Sequence, residues 1–297
     1  MITVRIPATS ANMGAGFDCM GVAVNLYNTI EISEIKSGLE IVGSNVAEFI
    51  PRNGRNLVYR SMLALFDEVG YKACGIRIRQ KSDIPVTRGL GSSSACVVGG
   101  MIAANILSGK KLSYPEILNL AFKVEGHTDN ITPAMFGGMC ISAVDGEKII
   151  HKSIKIDPGI KFAVIIPDYF IGTRKSRKTL PDKLPYADAV FNISRAAGFA
   201  LCMAEGKLDG LREFVRDRMH QPYRKDNISG FDKISEKSYE LGSKATYLSG
   251  SGPSMICIIN ENYSVFADNM NKFMKENDIA AVCRVLSVDN VGAVVKY

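Results

Sequence analysis

"PVTRGLGSSSACVVGG", residues 85–100, decides how the rest of the chain is read. It opens on turn-forming residues, places glycines at 89 and 91, runs through three serines and then turns apolar. Gly89 and Gly91 let the backbone turn tightly and come close to a ligand. Ser92, Ser93 and Ser94 then fall in the first turn of a helix predicted over 92–107. That stretch carries no charge, so the helix is expected to be buried nearly all round. A helix's first turn has unpaired N–H groups and a partial positive charge, which together suit phosphate. The same serines would also serve as the N-cap of a core helix, and this segment alone does not choose between the two. The other familiar phosphate and nucleophile patterns are absent. There is no GxxxxGK[ST], GLGSSS lacks the last glycine of GxGxxG, and no GxSxG occurs.

Outward from this loop, the hydrophobic periods alternate between strand and helix. "ITVRIP" near the start, "GVAVNLYNTIEISEI" (21–35) and "GIRIRQ" (75–80) read as strands. "NLVYRSMLALFDEVG" (56–70) spaces its apolar residues like a helix. "SYPEILNLAFKVEG" (113–126) begins with Ser113 and Glu116 in capping-box spacing. Beyond about residue 145 come strands "KIIHKSIKI" and "KFAVIIP", and helices over roughly 186–205, 207–218 and 231–242. The strand–loop–strand unit "ATYLSGSGPSMICII", a helix at 264–276 and two short strands complete the chain. Strands and helices mix without strict βα alternation, which predicts an α+β fold. The domain boundary is expected near 145–160.

Composition sets the class. The chain has 297 residues, is 46% hydrophobic and 22% charged, and carries a net charge of +6. It is long enough for one large or two modest domains with a full core. The mild basic excess suits anionic small substrates as well as nucleic acid, and there is no nucleic-acid motif. The seven cysteines are odd in number and form no CxxC pair, so free thiols in a reducing cytoplasm are expected rather than zinc or disulfides. No apolar run reaches about 18 residues and no secretory signal pattern opens the chain, so neither membrane insertion nor secretion is expected.

Two more segments share the loop's glycine and serine richness: "PATSANMGAGFD" (7–18) and "LSGSGPS" (248–254). A third, "EGHTDNITPAMFGG" (125–138), packs Glu125, His127, Asp129 and Asn130 into six residues. One carboxylate for Mg²⁺, with polar groups for a hydroxyl, would complement a triphosphate loop, since Mg²⁺ takes few protein oxygens. A polar loop between helices is the plainer alternative. His151 and His220 read as surface or hydrogen-bonded core histidines.

Taken together and in this order, these segments resemble the GHMP kinases. "PVTRGLGSSSA" is similar to that family's phosphate loop and "LSGSGPS" to its third motif. "PATSANMGAGFDCMG", "EGHTDNITPA", "TRKSRKTLP" and "HQPYR" are most similar to the members that phosphorylate homoserine, and the resemblance runs nearly end to end. It implies a two-domain α+β GHMP kinase fold. Residues 1–155 would form an ATP-binding domain resembling domain 2 of ribosomal protein S5, and 156–297 a ferredoxin-like domain.

The resemblance also implies the chemistry: transfer of the ATP γ-phosphoryl group to the side-chain hydroxyl of L-homoserine, a step towards threonine. Phosphoryl transfer rests mainly on positioning and charge neutralisation. Pro85, Val86, Thr87, Arg88, Gly89, Leu90 and Gly91, with Ser92, Ser93, Ser94 and Ala95, would wrap the phosphates, and Arg88 could reach one of them. Glu125 would hold Mg²⁺ with Ser93, or failing that Ser92. Asn56 would sit near adenine. Arg177 and Arg224 match carboxylate-binding arginines, and a guanidinium suits a carboxylate. Asp18 would meet the ammonium group, with Asn12 and His127 adding polar contacts. Asn130 is preferred at the acceptor hydroxyl, and Asp129, the alternative as general base, would otherwise organise its loop. Another acceptor such as mevalonate or shikimate, and a non-catalytic regulator, are the competing readings. A homodimer is compatible with the sequence, which does not specify the oligomeric state.

Overall fold

The computed structural model describes residues 1–44, 50–109 and 112–296. Its first half is built on a long antiparallel pair, β1 (Ile2–Ala11) and β2 (Met20–Glu34), in register from Ile2–Ile32 to Ala11–Gly21 with one irregularity at Pro7/Ala8. After β3 (Gly38–Ser44) and helix α1 (Leu57–Val69), strand β4 (Gly75–Ser82) pairs antiparallel with one end of β2 and parallel with β3. Then follow α2 (Ser92–Leu107), α3 (Tyr114–Glu125), the short α4 (Ile131–Phe136), β5 (Met139–Asp145) and β6 (Lys148–Ile154). Strand β5 pairs with the other end of β2, and β6 with β5.

Helix α2 is the centre of this half. It has no charged residue, and Ala95, Val97, Val98, Met101 and Ile102 are all buried. It is enclosed by β1, α1, α3 and α4, as an all-round apolar helix must be. The flanking helices are fixed by their ends. Asn56 caps α1 by accepting from Val58 N and Tyr59 N, and Gly70 closes it in the left-handed conformation. Ser113 and Glu116 form the expected capping box on α3.

The second half starts with β7 (Lys161–Pro167), α5 (Thr173–Arg177) and the 20-residue α6 (Tyr186–Glu205). Two single-turn helices follow, α7 (Leu211–Phe214) and α8 (Gln221–Arg224), and then α9 (Phe231–Glu240). The chain continues through β8 (Ala245–Leu248), β9 (Met255–Ile259), α10 (Tyr263–Glu276), β10 (Ala281–Ser287) and β11 (Val294–Lys296). The antiparallel order β10–β7–β9–β8 is that of a ferredoxin-like sheet. Strand β11 crosses back to pair with β1 in the first sheet.

Several expectations differ. The strands β3 and β5 and the short helices α4, α5 and α8 are not foreseen by the sequence reading. The helix expected over 207–218 shrinks to α7, which starts after Gly210 in the left-handed conformation, and Asp217 opens a new turn beyond its end. Its carboxylate accepts from the N–H groups of Met219, His220 and Gln221 and so starts the turn that leads into α8.

Candidate active site

Three glycine-rich loops meet at one end of α2. Gly250 N donates to Ala11 O, Ser254 N to Arg88 O, and Ser249 Oγ to Gly89 O at 2.6 Å. Ser249 Oγ also lies 2.7 Å from Ser10 Oγ. Gly89 has φ +73°, and a Cβ there would overlap the Ser249 carbonyl oxygen, so only glycine allows this closeness. Gly91, at φ +68°, is the N-cap of α2, and a Cβ on it would overlap Thr9 Oγ1.

The first helical bond of α2 runs from Ala95 N to Gly91 O. The N–H groups of Ser92, Ser93 and Ser94 find no acceptor among the described residues and point out of the helix start. Below them Glu125, the last residue of α3, accepts from Ser93 Oγ at 2.9 Å and Ser94 Oγ at 2.8 Å. Among the described residues no Lys or Arg lies within ion-pair distance of Glu125; its one such neighbour is His127 Nε2, at 3.9 Å. A shielded carboxylate without a fixed cation, beside an exposed serine hydroxyl and free amides, fits a divalent ion shared with phosphate.

The other end of the cleft is made of charged side chains. Arg177 Nη2 donates to both oxygens of Asp18, at 2.7 and 2.8 Å. Asn12 accepts from Asp18 N and donates to Gly250 O. Arg224 is 3% exposed. Its Nη1 donates to Gly250 O at 3.1 Å and lies 3.3 Å from His220 Nδ1, while its Nε has no partner. Burial, and then the charge of Arg177, lower the Arg224 pKa. His220 is a buried, hydrogen-bonded core histidine, with Nε2 2.9 Å from Gly14 O, and it backs Arg224. Phe17 stacks on His220, and the guanidinium carbons of Arg177 and Arg224 lie 5.6 and 5.3 Å from its ring centroid.

Between the two ends, His127 Nδ1 lies 3.1 Å from Asp129 Oδ1, though not in line for a hydrogen bond. Burial opposes the imidazolium, but Asp129, Glu125 and Asp18 outweigh it and raise the His127 pKa above 6.5. Burial, with the charges of Asp129 and Asp18, pushes the Cys19 thiol up to about 11. Asn130 accepts from Thr9 Oγ1 at 2.8 Å, and its Nδ2 lies 3.4 Å from Asp129 Oδ1.

One continuous cleft connects all of this. Of the candidate residues, only Pro85 and the buried Ala95 do not line it. Two candidates have their polar atoms largely engaged. Arg88 donates to the carbonyls of Pro167, Val86 and Asp168, which ties the loop to the second sheet. The Asn56 carboxamide is used by the α1 cap and by Pro51 O. Sequence reasoning missed Gln80, Ser82 and Cys96, on the cleft floor, and also Thr9 and Phe17. The motif 7–18 contains the last two, but nothing in its letters singles them out.

The chain matches the GHMP kinases N terminal domain over residues 56–138 and the GHMP kinases C terminal domain over 196–276. It belongs to the GHMP kinase family, and its fold is the two-domain α+β fold of that family. Homoserine kinase of Caldicellulosiruptor bescii is 47% identical to it, over 99% of this chain and 97% of the relative. Homoserine kinase of Clostridium beijerinckii is 45% identical, over 99% and 98%. The crystal structure of homoserine kinase from Cytophaga hutchinsonii aligns with a TM-score of 0.88 at 25% identity, over 99% of this chain and 97% of that one. Mevalonate kinase of L. major, TM-score 0.73 at 16% identity over 96% and 94%, shares the fold alone.

Proposed function

We propose that this chain transfers the γ-phosphoryl group of ATP to the side-chain hydroxyl of L-homoserine, giving ADP and O-phospho-L-homoserine. One observation carries the reading. A single cleft joins a helix start with free amides to a pair of arginines and an aspartate matched to a zwitterion. The full-length similarity to homoserine kinases points the same way.

The amides of Ser92, Ser93 and Ser94 hold the phosphates, acting where negative charge builds up. Glu125 and Ser93 would hold Mg²⁺, which when bound neutralises charge on the transferring group. Arg224, and Arg177 once released from Asp18, take the homoserine carboxylate. Asp18 takes the ammonium group, with Asn12 setting the Asp18 backbone. Asn130 contacts the acceptor hydroxyl. Asp129 lies against His127, whose raised pKa favours the imidazolium, and it organises the loop rather than taking the proton. The acceptor oxygen bonds to the γ-phosphorus as the bond to the ADP oxygen breaks, and the hydroxyl proton leaves with solvent. Residues 1–155 form the nucleotide domain and 156–297 its partner domain in this reading. The seven unpaired cysteines suit a reducing cytoplasm.

The test is ADP release with homoserine, mevalonate, shikimate or no acceptor. Turnover selective for homoserine is expected. Equal background across the panel overturns the proposal in favour of a regulator, and selectivity for another alcohol replaces the acceptor. Loss of kcat in Asp129→Asn with both KM values intact would move the proton to Asp129.

A further inference from the structure

Thr9 takes no part in the roles assigned above, yet it touches both working parts of the cleft. It lies on β1, 1% exposed. Its backbone N–H donates to Leu90 O at 3.2 Å, which fixes it to the phosphate loop. Its Oγ1 packs against Gly91, the N-cap of α2, so closely that a Cβ at Gly91 would overlap it. The same hydroxyl spends its one proton on Asn130 Oδ1, at 2.8 Å.

A carboxamide has two unlike ends, and turning it over exchanges a donor for an acceptor. With Oδ1 held by Thr9, the Asn130 Nδ2 group is left facing the Asp129 carboxylate and the cleft. We infer that Thr9 is a positioning residue for phosphoryl transfer: its hydroxyl fixes the Asn130 amide so that the NH₂ end meets the acceptor oxygen. The inference rests on the proposed role of Asn130. It adds that the start of α2 and the acceptor contact are held at a set distance by one buried hydroxyl. A shift of that contact is felt in the rate, because transfer depends on near-attack geometry.

The decisive variant is Thr9→Val, which keeps the branched shape suited to a strand and removes the donor. Its kcat is expected to fall about tenfold, the loss of one buried hydrogen bond, with both KM values little changed. Thr9→Ser keeps the hydroxyl and should keep kcat near wild type. In an Asn130→Ala background Thr9→Val should cause no further loss, since the two residues act as a unit. Wild-type kcat in Thr9→Val overturns the inference. So does an equal loss in Thr9→Ser, or a loss undiminished in the Asn130→Ala background; either shows packing rather than the hydroxyl at work. The series is run with whichever acceptor supports turnover, so a different acceptor would revise the function and still put Thr9 on trial. A chain with no turnover on any acceptor overturns both.

Discussion

The two ends of the cleft are made of different material. The phosphate end is backbone: amides of Ser92–Ser94 held by a loop whose glycines no other residue can replace. The acceptor end of the proposed site is side chain, and there Asp18 and Arg177 satisfy each other. A backbone site is preorganised and costs nothing to assemble at binding. A site of charged side chains must rearrange: the Asp18–Arg177 pair has to open before each member can meet a ligand charge of opposite sign. The difference teaches where tolerance lies: geometry is unforgiving at one end, and charge matching governs the other.

Gly89→Ala attacks the backbone end and should have the largest effect. A methyl group there meets the Ser249 carbonyl and a positive φ together. Loss of at least about 2 kcal/mol of stability is expected, with activity abolished even where the protein still folds. Denaturant unfolding and ADP release check both. A folded, active Gly89→Ala enzyme would erase the contrast. Arg224→Met attacks the side-chain end. It should lower kcat/KM for homoserine roughly 100-fold through loss of a charge-assisted bond in a buried setting, while the KM for ATP holds. A parallel rise in both KM values would show that the two ends are not independent.

The smallest effect comes from His127, which lies between them. Its pKa is raised in the fold, so its contribution to stability is complete below the unfolded value near 6.5 and fades as pH rises through the folded value. The melting-temperature gap between wild type and His127→Gln should be widest below the unfolded value near 6.5 and narrow as pH rises past it. A gap that widens with pH would show that burial, not the carboxylates, controls this histidine.

The contrast also explains what could be read from sequence. Helix α2 was legible to the residue, because an uncharged apolar run bounded by Gly91 and following serines has one reading. Strand β3 was not: it is a seven-residue edge strand with glycine at two positions, Gly38 and Gly43, and its partner β4 lies beyond an intervening helix. Strand β5 follows Gly137 and Gly138, which hide its alternation. Within the site, the motifs supplied the residue types, while the pairings needed the fold. Asp18 and Arg177 are 159 residues apart, and Thr9 and Asn130 are 121 apart. The engagement of Arg88 with three carbonyls was equally invisible, because nothing in "PVTRGLG" names Pro167 or Asp168 as neighbours.

The bond from Ser249 to Gly89 spans 160 residues. A nascent chain that has emerged only to residue 200 therefore contains every serine of the nucleotide loop and lacks the hydroxyl that shapes it. The letters of the glycine-rich loop thus lie in one part of the chain and the hydroxyl that holds its backbone in another.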